Sequence, residues 1–589
     1  MDYSLIAETY EMLEKTTKRL DMIDQLVRMI KETPNDLIKK VAYLTQSKIY
    51  PDFLGIELGI AEQIAIISIS KATNTSRSEV KKMWKEIGDL GEVAEKLLTK
   101  RKVRTLLEEP EVLTVEEVYS KLDYIARIRG KGAVESKIDQ LTKLIVKATP
   151  KEAKYLIRTA TGRLRLGVGD MTFLDALAIA YGKGKHSREN IEHAYNISSD
   201  LGFVSEVLAE RGLQGITEIE MTIGHPVRPM LCERLVSAEE ILEKLGGKGA
   251  AEFKYDGLRI QAHISPKEIF LFSRRLENIT KQFPDIVRDL RKNIYSKSAI
   301  LEGECVAVDP DTGEMLPFQV VTKRRGRKYQ IDKKIVEVPV VFIIFDILYL
   351  EQKSLLGYPY LDRRGILEKT VIDIDNIQLA YHKILNTSDE LNEFMEKAIE
   401  AGCEGLVVKS ISSKSIYQPG SRGFLWIKYK REQISELADT IDLVAIGAFA
   451  GRGKRAGTYG ALLMAAYDDE SDSFKTVCKL GTGFDDETLI KLPTIFREDR
   501  IDNIHPQVDS KIEADYWFTP NKILEIRGSE LTLSPSHTCG LDSIKKNSGL
   551  AVRFPRFTGK WREDKAPNDA TTVKEIIAMY KAQLKKIKK

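Results

Sequence analysis

The segment Glu252-Phe253-Lys254-Tyr255-Asp256-Gly257 sets a primary amine between two carboxylates. Strand alternation puts Glu252, Lys254 and Asp256 on one face, with Phe253 and Tyr255 on the other. An amine so placed is a candidate nucleophile. Only a neutral amine attacks, and a lysine at its reference pKa of about 10.4 needs roughly 4.6 kcal/mol to lose its proton at pH 7. Nearby cations reduce that cost. Lys428, Lys430 and a bound metal are the candidates. The same cations would stabilise negative charge in a transition state. Glu302 and Glu304 lie two apart and share a strand face, while Glu404 stands before Gly405 at a strand entrance. Hard oxygen ligands suit Mg²⁺ better than zinc. Each feature taken alone also fits a plainer role. The lysine between acids fits a solvated strand face, the glutamates fit surface acids, and Phe345 fits a core position at the end of Val340-Val341-Phe342-Ile343-Ile344.

The series as a whole is harder to read plainly. Lys254-Tyr255-Asp256-Gly257 is followed by Ser273-Arg274-Arg275, Glu302-Gly303-Glu304, Phe345-Asp346, Glu404-Gly405-Leu406-Val407-Val408-Lys409 and Trp426-Ile427-Lys428-Tyr429-Lys430. Arg553-Phe554-Pro555-Arg556 with Arg562-Glu563-Asp564-Lys565 closes it. In order and spacing this set resembles the covalent nucleotidyltransferases, meaning the polynucleotide ligases and mRNA capping enzymes. It is most similar to the archaeal and eukaryotic ATP-dependent DNA ligases. The resemblance implies that Lys254 carries AMP as a phosphoramide, passes it to the 5′-phosphate at a nick, and that the 3′-hydroxyl then displaces it. It implies that Phe345 stacks on adenine, that Glu252 contacts the adenine edge, and that Arg259 and Arg274 reach ribose and phosphate. Arg422, Lys428 and Lys430 would face the phosphates. Glu304 would bind ribose and assist the metal, and Glu404 would help hold Mg²⁺, for which Mn²⁺ can substitute. Arg556, Arg562, Asp564 and Lys565 would orient pyrophosphate from the last domain. The spacer Phe557-Thr558-Gly559-Lys560-Trp561 is longer than in some relatives.

The expected partner is nicked duplex DNA. Lys323-Arg324-Arg325-Gly326-Arg327-Lys328 is the sharpest basic cluster and suits phosphate contact, although a charge run also fits a solvated face. Arg165, in Arg163-Leu164-Arg165-Leu166-Gly167-Val168-Gly169, precedes a predicted helix whose N-terminal N–H groups can hold phosphate. Arg452 and Lys454, in Gly451-Arg452-Gly453-Lys454-Arg455, resemble a further ligase segment. Relatives dock on a sliding clamp, and Arg104-Thr105-Leu106-Leu107 is the matching region.

These groups need three kinds of scaffold. Apolar residues at helical spacing over 3–32, 37–45, 114–128 and 172–182 predict an all-α DNA-binding domain over residues 1–225. It ends near the two prolines of Gly224-His225-Pro226-Val227-Arg228-Pro229. Strand-like runs at Ala251–Ile264, Ile269–Ser273, Ala299–Val308, Val338–Leu350 and Gly405–Ser410 predict an α/β (α+β) nucleotidyltransferase domain over 226–430. Short strands and Gly-rich turns then predict an OB-fold β-barrel over 431–589, closed by a helix at Val573–Ile587 that packs on the barrel.

Composition agrees with several domains. The chain has 589 residues, 43% of them hydrophobic, which excludes wholesale disorder. Five separated cysteines exclude a disulfide framework and leave no C-x-x-C zinc module, against an NAD-dependent bacterial ligase. The start MDYSLIAETYEML is unlike a signal peptide, and no run spans a bilayer, so an intracellular protein is expected; a monomer is expected as well. A net charge of +4 announces no nucleic acid by itself, because 91 basic residues are balanced by 87 acidic ones. Two alternatives remain: a capping guanylyltransferase or RNA ligase, and a catalytically silent nucleic-acid scaffold.

Overall fold

The computed structural model describes residues 1–100, 112–182, 185–308, 315–316, 318–322, 324, 335, 337–374, 376–430, 440–451, 457–528, 530–553 and 555–587. The chain divides into two compact units, Met1–Ser68 with Arg104–Arg431, and Ile69–Val103 with Glu432–Lys589.

The first unit begins with helices. The period over 3–32 resolves into two of them, Tyr3–Glu14 and Arg19–Glu32, rather than one. At the break the Thr16 hydroxyl accepts from the Lys18 N–H and donates to Asp21, a local bond that competes with helix continuation. Helices at Ile38–Thr45, Val115–Arg127 and Asp170–Tyr181 fall within about two residues of their predicted spans. The helix Pro150–Ala160 opens with a capping box on Thr149 and Glu152. Tyr3, Tyr10, Leu26 and Tyr155 are fully buried among these helices. After the helix Leu201–Thr217 the chain runs without regular structure to the first strand, as the prolines at 226 and 229 require.

Two sheets follow. One contains β1 (Leu231–Arg234), β2 (Gly249–Lys254), β10 (His382–Leu385), β11 (Gly405–Lys409) and β12 (Arg422–Lys430), in the order β1-β12-β11-β2-β10. The other is built on β3 (Leu258–Ile264), β4 (Ile269–Ser273), β5 (Ala299–Val308), β7 (Val340–Leu350) and β8 (Lys353–Ser354), in the order β4-β3-β5-β7-β8. Short strands β6 (Met315–Leu316) and β9 (Ile377–Leu379) add to β5 and β7. The single strand expected over 251–264 is therefore two strands in different sheets. The turn Tyr255-Asp256-Gly257 divides them, so Asp256 lies past the end of the strand that carries Glu252 and Lys254. Glycine is needed at the turn: a Cβ on Gly257 would lie 2.4 Å from the Cys305 carbonyl oxygen. One apolar core joins β3, β5 and β7 to the helices Pro284–Asn293 and Tyr360–Thr370. A second joins β2, β11 and β12 to Ala238–Lys244 and Ser388–Glu400.

The second unit is β-rich. Strands β13 (Ile441–Ala450), β14 (Tyr459–Asp468) and β15 (Ser473–Leu480) form an antiparallel meander. β16 (Arg500–Ile501), β17 (Val508–Asp509), β18 (Tyr516–Phe518), β19 (Ile523–Arg527) and β22 (Arg556–Trp561) complete the curled sheet. β13 pairs with β19 through its first half and with β18 through its second, across a bulge before Gly447. β20 (Glu530–Ser534) and β21 (Gly549–Arg553) form a separate hairpin. The helix Val573–Ile587 places Val573, Ile576 and Tyr580 in the same core, as its apolar face predicts.

Candidate active site

β2 pairs antiparallel to β11 with Lys254 opposite Gly405, and β11 pairs to β12 with Lys430 opposite the same glycine. Gly405 adopts φ +140°, and a Cβ there would stand 2.4 Å from the Tyr429 carbonyl oxygen. A glycine at this crossing lets two lysines converge on the carboxylate before it. Lys254 Nζ lies 2.5 Å from Glu404 Oε2 and Lys430 Nζ lies 2.7 Å from the same oxygen. About a quarter of the Lys254 and Glu404 side chains remains exposed, at 25% and 28%. Burial works against the Glu404 charge, but Lys254 and then Lys430 outweigh it and hold the carboxyl down to about 2. Asp256 goes the other way. Burial raises its carboxyl, the N–H of Phe318 at 3.1 Å opposes this, and neighbouring Glu404 adds to the rise.

These groups line a cleft of about 550 Å³ to which both sheets contribute. Glu304, opposite Arg259 in the β3–β5 register, is pushed up to about 7 by burial, against the pull of Lys254 and Arg259. Lys428 shares the cleft, and burial followed by the Arg422 charge lowers its amine. Arg274 and Arg422 are exposed cleft residues. Phe345 is half-buried and meets Trp426 edge-on at 6.1 Å between centroids, so the two rings form an aromatic wall.

Glu252 faces the cleft from a buried position and is fully engaged there. It accepts from the Tyr360 hydroxyl at 2.6 Å and from Lys409 Nζ at 2.8 Å. Lys409 is itself 1% exposed and lies 4.6 Å from the Trp426 ring centre and 5.1 Å from that of Phe345. Arg259 donates to Glu302 at 2.7 Å and to the Met230 carbonyl at 2.8 Å, with Phe345 5.3 Å from its guanidinium. Asp346, next to Phe345, is a buried structural partner of Arg363, bonded at 2.8 and 2.9 Å.

In the second unit Arg562, Asp564 and Lys565 come together. Arg562 grips Asp564 through two bonds of 2.8 and 2.9 Å, and both Arg562 and Lys565 reach Asp442 Oδ2, the latter at 2.7 Å. The Arg562 bonds hold the Asp564 carboxyl well below its usual range. Arg556 stands apart, exposed on β22 opposite Arg527.

Of the basic residues predicted to meet DNA, Lys323, Arg325, Arg452 and Lys454 lie outside the described residues, as does the segment 104–107. Arg165 is exposed on a loop with left-handed φ at Arg165 (+59°) and Gly167 (+71°), beside a cleft of about 300 Å³ that Ser47 and Lys48 also line. Arg324 is a correction. Its side chain is 1% exposed, bonded to both oxygens of Asp285 at 2.9 Å and set over the Phe283 ring, so it cannot meet a phosphate.

Sequence reasoning gave no role to Lys409, Trp426 or Asp442. A lone lysine ending the apolar run Leu406-Val407-Val408 was the available signal, since a buried ammonium must have a partner. Asp442 carried none, because its partners are more than a hundred residues away in sequence.

Among the described residues no group of three or more His, Cys, Asp and Glu side chains is gathered to hold a metal. None of their helices is long and apolar enough to cross a membrane. Sequence profiles of three families match the chain: "DNA ligase N terminus" over residues 2–178, "ATP dependent DNA ligase domain" over 229–430, and "ATP dependent DNA ligase C terminal region" over 455–565. The chain is 52% identical to "DNA ligase 2" of Thermofilum pendens, covering 99% of this chain and 98% of that protein. It is 50% identical to "Probable DNA ligase" of Aquifex aeolicus (99% of each) and 47% identical to "DNA ligase" of Saccharolobus solfataricus (100% and 98%). A solved structure named "Pmar-Lig_Pre." superposes with a TM-score of 0.55 over 95% of this chain and 99% of that one, at 17% identity, and so shares the fold.

Proposed function

The chain belongs to the ATP-dependent DNA ligase family, and from that premise we propose that it seals nicks in duplex DNA through an AMP adduct on Lys254. The observation that carries the reading is the convergence of Lys254, Lys430, Glu404 and Glu304 in one cleft beside the Phe345–Trp426 wall.

In the first step the neutral Lys254 amine attacks the α-phosphorus of ATP. The N–P bond forms, the bond to the bridging oxygen breaks, and pyrophosphate leaves as the amine sheds its proton. Glu404 orients the amine by its 2.5 Å contact. Lys428, Lys430 and Arg422 supply positive charge to the phosphates, and Phe345 packs on the base. In the second step an oxygen of the 5′-phosphate attacks the same phosphorus and Lys254 departs as an amine. In the third the 3′-hydroxyl attacks the 5′-phosphorus and AMP leaves, joining the strands. Holding both reactants in line supplies much of the acceleration.

Two glutamates are too few to cage a divalent ion, but Mg²⁺ is usually bound by one or two carboxylates together with substrate phosphates. Glu304 and Glu404 fit that donor set. Such an ion, when bound, neutralises phosphate charge. Arg562, Asp564 and Lys565, pre-ordered around Asp442, are assigned to the pyrophosphate, and Arg556 to the same step. Residues 1–225 are assigned to DNA binding, 226–430 to adenylation and 431–589 to the barrel. A sliding clamp is the expected partner and the inside of the cell the expected location, with the protein acting as a monomer.

The test is a nicked duplex with a 5′-phosphate, incubated with the protein, ATP and Mg²⁺ or Mn²⁺. The reading expects a joined strand. No joined product with any nucleotide and divalent ion would overturn it.

A further inference from the structure

Along β3 the side chains of Arg259, Gln261 and His263 share one face, at every second position, while Leu258, Ile260, Ala262 and Ile264 fill the core on the other. This polar row is buried, with Gln261 at 5% and His263 at 0% exposure. Buried polar atoms need partners, and these find them in the connector between the helical region and β1. The Gln261 amide mimics a neighbouring strand: its Oε1 accepts from the Val227 N–H at 2.7 Å and its Nε2 donates to the Val227 carbonyl at 3.0 Å. His263 Nδ1 accepts from the Gly224 N–H at 3.1 Å, which leaves the ring hydrogen on Nε2, donated to Gln261 Oε1 at 2.8 Å. The second hydrogen of Gln261 goes to Glu302 Oε1 at 3.2 Å, directly opposite in the β3–β5 register.

Glu302 is 1% exposed and does not line the cleft, but it anchors a residue that does. Its other oxygen accepts from Arg259 Nη2 at 2.7 Å and from the Tyr417 hydroxyl at 2.8 Å. The Tyr417 hydroxyl in turn accepts from the Met230 N–H at 2.9 Å. One oxygen of Glu302 is thus set by Arg259 and Tyr417, and the other by Gln261. Among the described residues Gln261 is the side chain bonded to the second oxygen, so without it the carboxylate is fixed at one oxygen alone and its plane is free to turn about that point.

We propose that Gln261 is a positioning residue for the nucleotide site, acting through Glu302 to hold the Arg259 guanidinium against the cleft. The inference rests on the reading of Lys254 as the adenylated residue and of Arg259 as a nucleotide contact. His263 bonds Gln261 only at Oε1, on the connector side, and does not touch Glu302; without it the Gln261 amide keeps both Val227 bonds and its Glu302 bond, so the two neighbours in the row have separable effects.

The test is adduct formation from labelled ATP without DNA, measured against ATP concentration in the full chain, for wild type, Gln261→Met and His263→Met. Thermal melting of each is recorded alongside. Gln261→Met is expected to raise the half-saturating ATP concentration about ten-fold, the scale of one bond to a charged group. His263→Met is expected to lower the melting temperature while staying within about two-fold of wild type in ATP, since Gln261 loses one bond at Oε1 but keeps those to Val227 and Glu302. Gln261→Asn, which keeps an amide near Val227 but falls short of Glu302, should follow Gln261→Met and serves if the larger change does not fold. ATP dependence unchanged in the Gln261 variants, or raised equally by His263→Met, overturns the proposal. Wild type that forms no adduct overturns the underlying reading instead.

Discussion

Lys409→Met should unfold the nucleotide-binding part of the protein at markedly lower temperature. The Lys409 ammonium and the Glu252 carboxylate are 1% and 3% exposed and 2.8 Å apart. Methionine fills similar volume but cannot bond, so among the described residues Glu252 would keep the Tyr360 hydroxyl at 2.6 Å as its one side-chain donor. Removing one partner from a buried ion pair costs about 3–5 kcal/mol, because the remaining charge is uncompensated. At about 2–4 °C per kcal/mol for a domain of roughly 200 residues, the midpoint should fall by roughly 6–20 °C. Tryptophan fluorescence during a thermal ramp is a direct assay, since Trp426 lies 4.6 Å from the missing ammonium. The double variant Glu252→Gln with Lys409→Met should recover at least half the loss, as it removes both charges and keeps the tyrosine bond. A single variant within about 2 °C of wild type, or a double variant no better than the single, would refute the argument.

Other outcomes follow from the same geometry. Arg562→Ala should slow adduct formation from ATP by about 10²–10³, the scale for one donor to developing phosphate charge. Joining of a DNA nick that already carries AMP should change only a few-fold, which a single-turnover comparison of the two substrates reads. Arg324→Ala should lower stability by leaving Asp285 unpaired, while the slope of DNA affinity against salt stays as in wild type. In protein without nucleotide or divalent ion, Glu304 should make stability depend on pH. Its carboxyl is raised by burial from 4.5 to about 7, so its contribution is present below pH 4.5 and lost as pH rises through 7. Glu404 has the opposite sign, its contribution being present above 4.5 and lost as pH falls toward 2. Glu304→Gln should flatten the loss between pH 4.5 and 7 in denaturant titrations; a slope equal to wild type would count against the burial argument.

Much of this arrangement is legible in the chain itself, where local pattern and physical cause coincide. The helix Val573–Ile587 and the strand Ala299–Val308 lie where periodicity puts them, because one face of each must be apolar. The order of charged residues locates the cleft from Lys254 to Lys430. What pattern does not carry is who pairs with whom. The run Lys323-Arg324-Arg325 reads as uniformly basic, yet Arg324 is drawn inside by an aspartate 39 residues earlier. Ala251–Ile264 reads as one strand because a turn of three residues leaves little mark on alternation, and the close approach of Gly257 to Cys305 is a tertiary fact. Gln261 and His263 sit in a strand as ordinary polar residues until the connector is seen to supply their bonds.

The central claim is that one amine bonds to the nucleotide. Protein incubated with labelled ATP and Mg²⁺, then digested and mapped by mass spectrometry, should carry an acid-labile AMP group on the peptide containing Lys254. Lys254→Ala should carry none. An adduct on any other residue, or one that persists undiminished in Lys254→Ala, would contradict the account.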